Sequence, residues 1–339
     1  MPQSVLIVRL GALGDLVHAL PAAAAMRAAW PEATIDWLVD ARYAALLALV
    51  PAVDRRIVVG RPGGATVAGA IKELRRAKYD LAVDLQGLLK SAVFARLSGA
   101  RRTAGFAAPH LRERAAGLFY TTRVGADDSG HVVWKNLSVA AALGARAERV
   151  EFPIDVPASP APDAARRLLG LADGQPFAIL NPAAGWPNKQ WPAERYGAIA
   201  VHLARRHGLA SLVLWGPRER ALAEAVAAAS SGAARVAPAT DIGGVLALAR
   251  NAAIFVAGDT GPMQLAAAVG APIVGVFGPT SPVRNGPWSP ADLCLSRFDE
   301  CECHHKRSCR RATPCIEAIS IEEVAGAVDR RLEGGRPRG

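Results

Sequence analysis

The sequence predicts an α/β protein built from two doubly wound domains. Short β-branched runs alternate with segments of helical length almost from end to end, the pattern of parallel sheets covered on both faces. At 339 residues the chain is long for one core and sufficient for two. Midway, EFPIDVPASPAPDAARR carries Pro153, Pro157, Pro160 and Pro162, which interrupt regular structure and mark a linker. The expected units are residues 1–155 and 156–319, then a terminal helix and tail at 320–339 with Ser320 as its cap and the first domain as one surface to pack on. Two such halves predict a cleft between them, a favoured place for small-molecule sites.

In the first half the strands are SVLIVRL, TIDWLVD, RRIVVG and YDLAVDLQ. The stretch VRLGALGDLVHALP, Val8 to Pro21, runs from an apolar strand through a glycine loop into a helix, as a phosphate-binding turn does. It supplies only G-x-x-G, ending at Gly14, and then places Asp15 at the helix start. A helix N-terminus attracts anions, so a carboxylate there competes with a pyrophosphate. Asp40 ends the second strand-like run, but the G-x-G-x-x-G that should accompany it is missing, as is GxxxxGK[ST]. The first half is poorly suited to hold a nucleotide, and Asp15 is either a plain cap or has another task.

In the second half the strands are FAILN, SLVLWG, AAIFVAGD and PIVGVFG. Three glycine loops follow such runs: NPAAGWPNKQWP with Lys189, GDTGPM with Asp259, Thr260 and Gly261, and GPTSP. Ligands of open α/β sheets bind beyond the carboxyl ends of strands, and Lys189 offers a point charge to a phosphate. Short loops of this kind are commonly mere turns. Three in one half argue for a ligand.

Hydrophobic residues make up 51% of the chain and charged ones 21%, a globular composition. No secretory signal is readable, since the first apolar run carries Arg9 and leads into the glycine loop. The longest uncharged run, Thr260 to Val283, is broken by glycines and prolines and reads as helix, turn, strand, turn. A cytoplasmic protein is expected. The net charge of +10 favours anionic partners. Nucleic acid is disfavoured by the absence of a reader motif or aromatic platform.

Taken together, VRLGALGDLVHALP, DLQGLLKSA (Asp84 to Ala92), NKQWP, LWGPRE and GDTGPMQLAAAVGAPIVGVFGPT resemble glycosyltransferase family 9, the ADP-heptose:lipopolysaccharide heptosyltransferases. DLQGLLKSA is most similar to heptosyltransferase I, the branch that adds the first heptose to Kdo on lipid A. The resemblance implies a GT-B fold, with the acceptor on the N-terminal domain and the ADP-sugar on the C-terminal one. It also implies inversion at the anomeric carbon with no cofactor, which agrees with the lack of a D-x-D carboxylate clamp. Asp15 becomes the general base facing the pyrophosphate across the cleft, and Lys189 with the N–H groups near Thr260 and Gly261 stabilises the departing ADP. Glu219, Asp259, Gln264 and Gly14 complete the donor set. Arg123, Arg61, Gln86 and Lys90 form the acceptor set. Gln264 stands where the family commonly has histidine, which bears on donor affinity. Arg96, Arg101, Arg102, Arg112, Arg114 and Arg123 would suit an anionic lipid headgroup, Kdo-lipid A or inner-core lipopolysaccharide, at the cytoplasmic face of the inner membrane. Competing readings are another family 9 transferase, a nucleotide-dependent oxidoreductase and a sugar-nucleotide binder without turnover.

All five cysteines fall in CLSRFDECECHHKRSCRRATPC, read as a loop. So tight a grouping suggests a structural zinc or iron held by Cys301, Cys303, Cys309 and Cys315. The irregular spacing matches no standard finger, and thiols that staple the loop, bridged or free, are the alternative.

Overall fold

A computed structural model of the chain describes residues 1–60, 66–309 and 311–335, which form two compact units, Met1–Asp155 and Val156–Gly339. In the first, the order is β1 (Ser4–Val8), α1 (Leu13–Ala29), β2 (Thr34–Asp40), α2 (Ala44–Leu47), β3 (Arg55–Val59), α3 (Val67–Ala77), β4 (Leu81–Asp84), α4 (Leu89–Leu97), β5 (Arg102–Phe106), β6 (Thr122–Val124) and α5 (Val132–Ala142). The strands form one parallel sheet, β3-β2-β1-β4-β5-β6. Val5 to Val8 are fully buried, as a central parallel strand covered on both faces requires.

The second unit runs α6 (Ala161–Leu169), β7 (Ala178–Asn181), α7 (Ala193–His207), β8 (Ser211–Val213), α8 (Arg220–Ala229), β9 (Ala234–Val236), α9 (Ile242–Asn251), β10 (Ile254–Gly258), α10 (Gly261–Ala268), β11 (Ile273–Phe277), α11 (Pro282–Asn285), β12 (Leu293–Ser296) and α12 (Ile321–Glu333). Its parallel sheet is ordered β12-β11-β10-β7-β8-β9. Read from β9 inward this is the same 3-2-1-4-5-6 Rossmann order as the first sheet.

Four strands escape the sequence reading: β5, β6, β9 and β12. β6 and β9 are three residues each, and β5 (RTAGF) and β9 (ARV) lack the β-branched runs that mark the others. In β5 the glycine is needed, because a Cβ on Gly105 would lie 2.5 Å from the Tyr120 ring. Cys294 belongs to β12 and not to a loop. The proline-rich linker is shorter than expected, for α6 begins at Ala161 with Pro162 in its first turn, where a missing N–H costs nothing.

Ser320 caps α12 in a reciprocal capping box: its hydroxyl accepts from the Glu323 N–H and the Glu323 carboxylate accepts from the Ser320 N–H. Val324, Ala327 and Val328 then enter the core of the second unit, against α7, β10, β11 and β12. The terminal helix is thus part of that unit's own core. A buried ion pair, Arg331 to Asp292 at 2.9 Å, ties it down, and Asp292 also accepts from the Ile273 N–H. Among the described residues no helix is long and apolar enough to cross a membrane.

Candidate functional site

In each sheet the strand order reverses between its two central strands, and the loops leaving those strands carry the candidate residues. In the first unit the strands are β1 and β4. After β1, Arg9 is nearly buried, and its guanidinium donates to the Leu85 carbonyl and lies 3.0 Å from Asp15 Oδ1. The other Asp15 oxygen accepts from the Ala12 N–H at 3.1 Å. Asp15 therefore fills the third position of α1 and reaches back to cap it, as the cap reading requires. Its side chain is nevertheless 43% exposed, so a carboxylate oriented by two donors still faces solvent. Gly14 precedes it in the same turn.

After β4, Asp84 is fully buried and gathers four donors: Gln86 N–H at 2.8 Å, Gly87 N–H at 3.1 Å, the Ser91 hydroxyl at 2.8 Å and the Tyr120 hydroxyl at 2.7 Å. Burial pushes its carboxyl above the usual range against the pull of those donors. The arrangement shapes the DLQG turn, whose Gly87 has φ +70°. Gln86 then accepts from the Leu10 N–H at 2.8 Å, which joins the β4 loop to the β1 loop. Lys90 is exposed in the first turn of α4. Arg123 is exposed on β6, two strands along, with Nε donating to the Gly117 carbonyl. The structure thus brings Gln86 beside the Asp15 loop and places Lys90 and Arg123 on other elements. Arg61 lies outside the described residues.

In the second unit the central strands are β7 and β10. Asn181 ends β7, and its side-chain oxygen accepts from the Thr260 hydroxyl at 3.1 Å. Thr260 in turn caps α10 by accepting from the Met263 N–H. Lys189 closes a short 3-10 turn, pairs with Asp259 at 2.6 Å and sits 4.3 Å from the centre of the Trp186 ring. Both charged side chains are close to nine-tenths buried. Gly258 permits this approach, since a Cβ there would stand 3.1 Å from the Lys189 carbonyl. Gly261 opens α10. Glu219 is half-buried at the start of α8 and accepts from the Gly216 N–H at 2.9 Å. Gln264 is buried and donates to the Asn285 carbonyl at 2.6 Å, tying α10 to the end of α11.

The sequence reading missed Arg9, Asn181, Asp84 and Tyr120 as parts of these networks. The first three lie inside the quoted motifs. Tyr120 carries no local signal, because Gly105 in another strand creates its place.

The four cysteines named as ligands lie in one cluster. All five thiols are free, and Cys301, Cys303 and Cys315 are buried together with Cys309 packed against them. Burial and the neighbouring thiols push Cys303 up to about 12. Among the described residues, His202, His207 and Asp329 place three ligand atoms within 4.8 Å of one another. The thiol cluster is a small core. It supports the Lys189 turn through Asn188, whose Nδ2 donates to the Lys306 carbonyl at 3.0 Å and approaches the Cys303 sulfur at 3.7 Å.

The family model for glycosyltransferase family 9 (heptosyltransferase) matches residues 67–314. Lipopolysaccharide heptosyltransferase 1 of Pseudomonas aeruginosa is 30% identical over 316 residues, covering 90% of this chain and 87% of the relative. The solved structure of E. coli heptosyltransferase WaaC with ADP-2-deoxy-2-fluoro heptose aligns with a TM-score of 0.74 at 26% identity, over 98% of this chain and 99% of the other. A family 9 glycosyltransferase from Veillonella parvula superposes with a TM-score of 0.82 at 22% identity, over 98% of each chain. The paired Rossmann sheets are those of a GT-B protein, and the chain belongs to glycosyltransferase family 9, the heptosyltransferases.

Proposed function

We propose that the chain is a heptosyltransferase of the lipopolysaccharide core, of type I, which moves a heptose from ADP-heptose to Kdo on lipid A with inversion. The observation that carries this reading is the opposite chemistry at the two switch points. An oriented, exposed carboxylate stands at one, and a lysine beside a capped helix N-terminus at the other. In this reading Asp15 takes the proton from the acceptor hydroxyl as that oxygen attacks the anomeric carbon. Arg9 and the Ala12 N–H hold the carboxylate in position. The bond from the anomeric carbon to the β-phosphate oxygen breaks, and ADP leaves with the electron pair. Lys189 and the Gly261 N–H at the start of α10 stabilise the charge on that oxygen, each well-placed donor being worth about 3 kcal/mol. Asp259 holds Lys189 between turnovers, and Gln264 braces α10 against the end of α11 beside the donor. Glu219 accepts from a ribose hydroxyl.

Arg123, Lys90, Gln86 and Arg61 meet the acidic acceptor, and the arginines around them meet the anionic cytoplasmic face of the inner membrane. No cofactor enters the chemistry, so turnover should survive EDTA. Loss of turnover that Mg²⁺ restores would contradict this.

The reading is tested by offering ADP-heptose and ADP-glucose against Kdo-lipid A and heptosylated Kdo-lipid A. Product is expected from ADP-heptose with Kdo-lipid A. Product only on the heptosylated acceptor would assign the second transfer, and binding of ADP-heptose without turnover on either acceptor would make the chain a sugar-nucleotide binder.

A further inference from the structure

Away from the strand-end loops, a second constellation joins two helices of the same unit. His202 and His207 lie in the last two turns of α7, and Asp329 faces them from the second half of α12. Both imidazole Nε2 atoms point at one carboxylate oxygen, 2.7 Å from His202 and 2.6 Å from His207, and the three ligand atoms lie within 4.8 Å of one another. Two imidazoles and a carboxylate are the donor set of borderline divalent cations, zinc first among them. Tetrahedral zinc with ligands at about 2.0–2.2 Å sets its donor atoms about 3.4 Å apart. The carboxylate oxygen, at 2.6 and 2.7 Å from the two nitrogens, would move back by under 1 Å to admit an ion at that spacing. They are 27%, 19% and 29% exposed, which leaves an open side for water as the remaining ligand.

The surrounding field favours a cation. α7 ends at His207 and α12 ends four residues after Asp329, so both helices present their C-terminal carbonyls to this end of the unit. The competing positive charges are Arg205, Arg206 and Arg330 on the same elements. The remaining two are committed elsewhere, Arg195 to the Glu317 and Ile319 carbonyls and Arg331 to the buried pair with Asp292.

We propose that His202, His207 and Asp329 form a zinc-class cation site that clamps α12 to α7. The site is structural. α7 starts just after the Lys189 turn, and at 1.5 Å per residue His207 lies about 20 Å further along, so the ion cannot touch the donor loops. It would reinforce the attachment of the helix that covers β10, β11 and β12.

Calorimetric titration of tag-free protein with ZnCl₂, together with melting temperatures with and without zinc, tests this. Two variants, Asp329→Asn and His207→Gln, remove one ligand each, and a Cys301→Ser/Cys303→Ser variant separates zinc held by thiols. Wild type should bind one more equivalent than either ligand variant, or bind that equivalent about 10²-fold more tightly. Zinc should raise the melting temperature of wild type and of the cysteine variant by several degrees, and that of the ligand variants by much less. If one ligand variant does not fold, the other carries the comparison. Equal uptake and equal thermal shift in wild type and ligand variants, or no uptake by wild type, would leave a hydrogen-bonded His–Asp–His cluster and overturn the proposal.

Discussion

The two units share a strand order and differ in what they place at its reversal point. At β1 and β4 a carboxylate occupies the start of α1 and is held by Arg9 and the Ala12 N–H. At β7 and β10 the start of α10 is capped by the Thr260 hydroxyl, with Lys189 paired to Asp259 in the adjoining loop. A helix start can favour only one anion at a time. In the first unit the protein supplies that anion itself, whereas in the second Thr260 caps the helix and a lysine stands in the adjoining loop. One backbone frame is thereby fitted to two tasks by a few residues, which is why fold alone does not assign function.

The comparison is broken most severely at Asp15. Asp15→Asn keeps the shape and half of the cap, and it should lower kcat by about 10²-fold or more with ADP affinity unchanged, as measured by steady-state kinetics beside nucleotide binding. Near-normal turnover would reduce Asp15 to a cap. Lys189→Ala removes the cation from the second unit and should raise the donor KM by about 10-fold while sparing the acceptor KM. Arg123→Ala should do the reverse, with a rise of a few-fold in the acceptor KM, the scale of one partly exposed charged contact. If both variants raised only the acceptor KM, the division of labour between the units would be wrong.

The smallest effect sharpens the comparison through pH. Burial raises the Asp84 carboxyl above its usual value of 3.8. Its contribution to stability is then fully present below that pH and lost as pH rises through the folded-state value. Relative to Asp84→Asn, the wild type should lose stability across that window, as read by urea unfolding at a series of pH values between 4 and 7. A difference that stays constant with pH would show that Asp84 does not titrate there.

Much of this was legible in the sequence because it is local. The glycine loops, Asp15 beyond a strand and Lys189 in a tryptophan- and proline-rich turn are spelled out by neighbours in the chain. The alternating apolar runs gave the central strands for the same reason. What stayed hidden depends on distant partners. β5 reads as a weak strand until Tyr120 is seen filling the space over Gly105, and Tyr120 matters only because its hydroxyl meets Asp84, 36 residues away. The grouping of Cys301, Cys303, Cys309 and Cys315 was legible because it is local, and the fold packs the four together. The cluster of His202, His207 and Asp329 gave no such signal, since the histidines stand 127 and 122 positions from the aspartate.

The place of α12 in the second unit also bears on how the protein is made. The first sheet and its helices are complete by residue 155, so that unit can close while the rest is still being translated. The second cannot, because Val324, Ala327 and Val328 cover strands synthesised well before them, and Asp292 has to wait for Arg331. Until the last helix leaves the ribosome, a nascent chain carries one finished domain and one with an open apolar face and an unmatched acid. A stalled or clipped chain that lacks α12 should accordingly keep a native first half and become a client of chaperones or proteases through its second.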